Sequence, residues 1–174
     1  YVNGGRMTAQ SFIGDTVDNI ATIGWVKVPQ ASQPEIPDNA LQIDVTLNNQ
    51  FHLTHYTVEK SGDNQIAVKL YWQSRVNRPD IDATVFVHAI NSSGEIVVQS
   101  DIRPHNGQYP TFIWDQDEIV MTKHQLEIAD SEGVQLVAGM YTQPDFTRLA
   151  AIQDSEKLPD DLIQLGNLEA LIED

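Results

Sequence analysis

The chain has no cysteine. Disulfide staples, thiolate metal sites and cysteine nucleophiles are therefore excluded together, while the redox compartment stays open, because oxidising surroundings permit disulfides without requiring them. Positive charge is scarce: 10 Lys and Arg stand against 25 Asp and Glu in 174 residues, a formal net charge of −15. A surface of that sign repels polyanions at long range, which argues against nucleic acid and anionic lipid headgroups as partners. No apolar run approaches the roughly 18 residues of a membrane span, so the expectation is a soluble fragment that does not itself insert into a membrane. The chain also lacks a Gly-x-Ser-x-Gly elbow around Ser11, Ser93 or Ser131 and a phosphate-cradling glycine loop, Gly4-Gly5 being an isolated pair. It opens on Tyr1 without a signal-like segment, so a piece of a longer protein is expected.

What is present is period-two alternation in short runs broken by Gly, Pro, Asn and Asp. From Gln65 to Gln73, Ile66, Val68, Leu70 and Trp72 fall on one face, and Gln65, Lys69, Tyr71 and Gln73 on the other, wet face. Leu41 to Leu47 repeats this with Leu41, Ile43, Val45 and Leu47. Further strands are read at His52–Glu59, Thr84–Ile90, Glu95–Ile102, Ile119–Ile128 and Val134–Tyr141. Ser61-Gly62-Asp63-Asn64 and Asn91-Ser92-Ser93-Gly94 read as hairpin turns. Thr84–Ile90 is apolar on both faces, as suits a central strand covered on two sides. This pattern predicts an all-β fold: two antiparallel sheets in a β-sandwich of jelly-roll or immunoglobulin-like type.

Residues 1–40 read as an N-terminal arm or linker, with Ala21–Val28 as a possible edge strand and the polar Gln30–Asp38 stretch as its end; residues 41–174 read as the sandwich. Leu162, Leu165, Leu168 and Leu171 have a three-residue spacing compatible with a helix, but a strand with Gly166 at a bulge is the preferred reading.

The 101–118 segment is long for a hairpin loop, and such loops on a rigid scaffold commonly carry binding groups. Asp101, Arg103, His105, Tyr109 and Trp114 are the candidate ligand-binding residues: the rings offer faces for a sugar or partner, and the polar groups offer hydrogen bonds. The competing reading has Tyr109 and Trp114 capping an open end of the sandwich. Asp115, Asp117, Glu118, Asp80 and Asp82 offer oxygen ligands, but their spacing is not that of an EF-hand, so no metal is expected and solvated turn charges are the simpler account. A glycosidase would need two carboxylates facing across about 5 to 9.5 Å, and a carbohydrate-active enzyme using residues 115–118 is kept as an alternative, beside a structural or adhesion module.

Among the histidines, His52 and His55 should point to opposite faces of a strand, and His88 reads as a hydrogen-bonded core residue. No catalytic residue or cofactor is assigned. Asn91-Ser92-Ser93 is formally a glycosylation tripeptide in a turn.

The order of motifs adds a resemblance. Gly62-Asp63 followed by Ile66–Gln73, then Asp82–His88, Gly94–Asp101 and Gly107-Gln108-Tyr109-Pro110-Thr111, and later Trp114 with Glu118-Ile119-Val120 and Gly139-Met140-Tyr141 with Thr147-Arg148-Leu149, is similar to a β-sandwich domain at the C-terminal end of large bacterial membrane proteins. Those proteins look like glycosyltransferases of the protein-mannosyltransferase superfamily, which use a polyprenyl-phosphate sugar donor. The resemblance spans roughly residues 50 to 150. It departs from the pattern at Ser131-Glu132-Gly133-Val134, where a proline-glycine-tyrosine turn is usual, and near Gln116-Asp117, where a glycine is missing. It implies a non-catalytic, extracytoplasmic accessory domain of a membrane-anchored parent, binding a glycan or docking on the parent's membrane-embedded domain. The transferase chemistry would belong to that membrane-embedded part.

Overall fold

The computed structural model describes residues 33–173 and, before them, the antiparallel pair β1 (Ala9–Gln10) and β2 (Thr16–Val17). The chain divides into two units, residues 1–30 and 31–174. The strand expected at Ala21–Val28 lies outside the described residues.

In the second unit the alternating runs become two antiparallel sheets. β3 (Leu41–Leu47), β4 (Phe51–Gly62), β5 (Gln65–Ser74), β8 (Ile119–Glu127), β10 (Ala151–Gln153) and β11 (Glu156–Lys157) form a six-stranded sheet in the order β11-β10-β3-β4-β5-β8. β6 (Ala83–Ile90), β7 (Ile96–Ile102), β9 (Gln135–Thr142) and β12 (Ile163–Asn167) form a four-stranded sheet in the order β12-β9-β6-β7. Val45, Leu47, Leu53, Val68, Leu70 and Trp72 from the first meet Val85, Val87, Leu136, Ala138 and Met140 from the second in one core. Each buried Val, Leu or Met among them contributes about 1.5–3 kcal/mol. The expected β-sandwich is the fold.

Several local readings are corrected. Tyr71 and Ala67, on the nominally wet face of β5, are buried. β5 lies inside the sheet, Tyr71 sits in register between His55 and Met121, and the Lys69–Glu59 pair at 3.2 Å is on the same face. Leu41 is 45% exposed, because β10 pairs only with Thr46 and Leu47 and leaves the start of β3 at the sheet edge. A bulge between Leu53 and His55 sets His52 opposite Gln73 and His55 opposite Tyr71, so these histidines share a face. Gly166 does sit at a bulge, with φ 135, which favours glycine. The strand nevertheless stops at Asn167, whose Oδ1 accepts the Ala170 N–H at 3.3 Å and caps α1 (Leu168–Glu173). Leu168, Leu171 and Ile172 then pack against the core. The β10–β11 hairpin was not foreseen: its strands are too short for alternation to register, and its turn places Asp154 and Ser155 at positive φ.

A polar chain joins the sheets inside the apolar core. Trp72 Nε1 donates to Thr122 Oγ1 at 3.3 Å, Thr122 Oγ1 lies 3.3 Å from His124 Nε2, and His124 Nδ1 lies 3.0 Å from the Ser100 carbonyl oxygen. A carbonyl only accepts, so the proton is on Nδ1 and Nε2 accepts from the threonine hydroxyl; a neutral imidazole satisfies the chain. His124 on β8 thereby grips β7, the neighbouring edge of the other sheet. Burial pushes its pKa down to about 4, outweighing the hydrogen bond to Ser100 and the nearby charge of Asp101, which favour the cation.

An unfolded chain takes up this proton near pH 6.5, so the unfolded state binds more protons between that value and about 4. The stability tied to neutral His124 is complete above about pH 6.5 and is lost as pH falls toward about 4, to a total of about 3 kcal/mol. Urea unfolding at stepped pH should show this loss, and the His124→Asn variant should lose less over the same window. Equal pH dependence in both proteins would contradict the assignment.

Candidate ligand-binding face

The five residues expected to converge in the 101–118 segment do not converge. Trp114 is fully buried: its ring meets Phe51 edge-on at 5.6 Å, and its Nε1 donates to the Tyr109 carbonyl at 3.2 Å. A ring enclosed in the core cannot stack on a ligand, so its expected binding role is replaced by the capping one. The segment around it is pinned to the sandwich end. Thr111 Oγ1 donates to the Ile81 carbonyl at 2.5 Å and accepts the Ala83 N–H at 2.9 Å, and the Asp117 N–H donates to the Ser74 carbonyl at 2.8 Å.

Tyr109 is half-buried, with its hydroxyl donating to Glu118 Oε1 at 2.5 Å and its ring edge-to-face with His105 at 5.8 Å. Arg103 is paired with Asp82. Glu118 Oε2 also accepts the Asp115 N–H at 2.8 Å, so that carboxylate braces the turn, while Asp115 and Asp117 are exposed. His105 and Asn106 hold positive φ beside a shallow cleft of about 180 Å³, lined also by Ile102, Met121 and Lys123.

Asp101 points elsewhere, onto the outer face of the four-stranded sheet. Antiparallel register places it opposite Phe86, with Gly139 on the other side of that ring. Its Oδ1 lies 2.8 Å from His88 Nε2, and its Oδ2 accepts the Tyr141 hydroxyl at 3.3 Å; the Asp101 side chain is 24% exposed. Burial, with Asp101 nearby, pushes the Tyr141 phenol up. Phe86 lies tilted against His88 at 4.6 Å and stacked with Tyr141 at 6.2 Å, and the Arg148 guanidinium lies 5.6 Å from its centroid. Arg148 Nη1 donates to the Asp160 carbonyl at 3.1 Å, which holds the guanidinium over the ring.

This face opens to solvent at Phe146, 66% exposed and 5.5 Å from the Tyr141 ring. Phe146 has φ 55, a left-handed conformation that a bulky residue rarely adopts. The turn bearing it is closed by the Thr142 N–H donating to the Thr147 carbonyl at 3.0 Å. Asp145 ties it inside: Oδ2 accepts the Thr147 hydroxyl at 2.7 Å and Oδ1 the Thr142 hydroxyl at 3.3 Å. The Thr147 hydroxyl bond holds the Asp145 carboxyl below the usual range, so the brace persists in mild acid.

The face thus combines an exposed ring, a charged fork and a carboxylate in a braced arrangement. These groups offer an aromatic surface together with hydrogen-bond donors and acceptors. The Tyr141 hydroxyl is engaged by Asp101, and the Ser100 hydroxyl lies 3.2 Å from His124 on the opposite face. Among the described residues, no group of three or more His, Asp or Glu side chains is arranged to hold a metal ion. Sequence reasoning placed Asp101 among the candidates but missed Phe146 and Arg148. Tyr141 and Arg148 stood in the motif string of the resemblance, yet nothing in linear order shows that a turn returns Phe146 and Arg148 to the ring of Tyr141.

No protein-family model matches the chain, and no curated protein matches it. Among solved structures it is similar to the crystal structure of the C-terminal domain of wzt, with 12% identity and a TM-score of 0.46 over 76% of this chain and 89% of that one. A likeness of that size assigns neither family nor ligand.

Two stability predictions follow from the packing. Trp114→Ala should destabilise the fold by about 3–5 kcal/mol, since it empties a closed part of the core. At Gly139, a Cβ would lie 2.6 Å from Phe86 Cζ and 2.8 Å from Cε1, and that ring is trapped beneath Arg148. Gly139→Ala should therefore cost about 1–3 kcal/mol, measured by urea unfolding; a neutral effect would mean that the ring is free to move.

Proposed function

We propose that this chain is a non-catalytic accessory domain that binds a glycan at the outer face of its four-stranded sheet. In this reading it serves a larger membrane glycosyltransferase-like protein, on the extracytoplasmic side. The observation that carries the binding role is Phe146, kept exposed in a strained but braced turn beside Tyr141, Arg148 and Asp101. A pyranose presents a C–H face that packs on an aromatic ring and hydroxyls that both donate and accept. Phe146 and Tyr141 suit the first, and Arg148 and Asp101 the second. Turn bracing favours binding because little conformational freedom remains to be lost. The location and the parent protein rest on the resemblance of the motif string, which the fold accommodates.

A second reading, docking on another domain of the parent, is favoured by a separate observation. Ile96 and Val97, adjacent apolar residues at the start of edge strand β7, are 48% and 54% exposed. The carbohydrate-active enzyme using residues 115–118 has less support, because Glu118 is committed to Tyr109 and the Asp115 N–H.

Titration calorimetry against a panel of neutral oligosaccharides should give saturable binding. Phe146→Ala should weaken it about tenfold with folding unchanged, in line with the loss of one ring contact. Absence of heat across the panel, or equal affinity of the variant, would overturn the glycan reading.

A further inference from the structure

Resting on that glycan reading, we infer that the face selects uncharged sugars and turns acidic ones away. The charges that border it set this preference. Asp145 adjoins Phe146 in the chain, and its carboxylate is fixed by two threonine hydroxyls in the turn that presents the ring. Asp101 lies on the same face, through His88 and Tyr141. Asp160 supplies the carbonyl that holds Arg148. Beside the carboxylates of Asp145 and Asp101, the basic groups that the contacts place here are the Arg148 guanidinium and the His88 ring. Lys157, nearby in the chain, is paired with Asp161 at 3.3 Å. The whole chain carries −15, so its long-range field adds to that of the two carboxylates.

A neutral sugar hydroxyl satisfies this mixture, donating to a carboxylate and accepting from the guanidinium. A uronate can use the guanidinium but meets Asp145 and Asp101 as like charges. Two of the Arg148 surfaces are already engaged, by the Phe86 ring and by the Asp160 carbonyl, so the cation is aimed by its own scaffold and cannot swing freely to a ligand carboxylate. Asp145 is exposed, so its repulsion acts through solvent and weakens as salt shortens the screening length, about 10 Å at 0.1 M and about 3 Å at 1 M.

The test compares matched ligands on the full chain. Gluco-, manno- and galacto-oligosaccharides and their counterparts oxidised at C6 to uronates are titrated by calorimetry at low and high salt. For a sugar that binds in neutral form, the uronate should bind at least about tenfold more weakly at low salt, and the gap should narrow as salt is added. Asp145→Asn should narrow the low-salt gap; the readout is the ratio of acidic to neutral affinity, so a general effect of the substitution on the turn cancels. Uronates binding as tightly as the neutral sugars, or a ratio unmoved by both salt and Asp145→Asn, would overturn the inference while leaving the glycan reading standing. No binding by any sugar of either kind would overturn the glycan reading, and this inference with it.

Discussion

The need to bury both faces of β6 shapes the rest of the molecule. Every residue from Ala83 to Ala89 is buried. Val85 and Val87 face the six-stranded sheet, so one side is met by ordinary sandwich packing. The other side, with Phe86 and His88, faces outward and has to be covered by different means. The chain beyond β9 contributes to that cover: Arg148 lies over Phe86, Phe146 lies against Tyr141, and the Asp161 carbonyl approaches Gly139. The groups proposed to bind are therefore the outermost members of a packing layer. That layer aligns Asp101, His88, Tyr141 and Arg148 before any ligand arrives.

Inside the core, one chain of polar side chains is partnered from end to end. The chain from Trp72 through Thr122 and His124 to Ser100 crosses from one sheet to the edge strand of the other without leaving a donor idle. One residue further along β7, Asp101 is held on the opposite face by His88 and Tyr141. Adjacent residues of one edge strand are thus anchored from both sides, which steadies the C-terminal half of β7.

The β-sandwich and the hairpins were legible because half-buried antiparallel strands write their burial into every second residue. The same logic failed wherever a residue's surroundings came from outside its own strand. Tyr71 alternates as a surface residue but is buried among neighbours supplied by β4 and β8. His52 and His55 share a face because of a bulge, which alternation cannot reveal without the partner's register. Trp114 was weighed as a ligand platform, but the hydrogen bonds from Thr111 and Asp117 that fold its segment inward join residues about 30 and 43 positions apart in the sequence. Of the candidate binding residues only Asp101 belongs to the outer face. Phe146 escaped notice because its exposure depends on a turn braced by side chains, and its neighbour Tyr141 is brought close by that turn.

The proposed recognition surface is the covered outer face of the four-stranded sheet. Backbone amide shift mapping by NMR during titration with a neutral oligosaccharide tests it most directly. The largest shifts should fall at residues 99–101 and 141–148, with the 104–118 segment little changed. Shifts confined to that segment, or spread over the exposed start of β7 without residues 141–148, would contradict it.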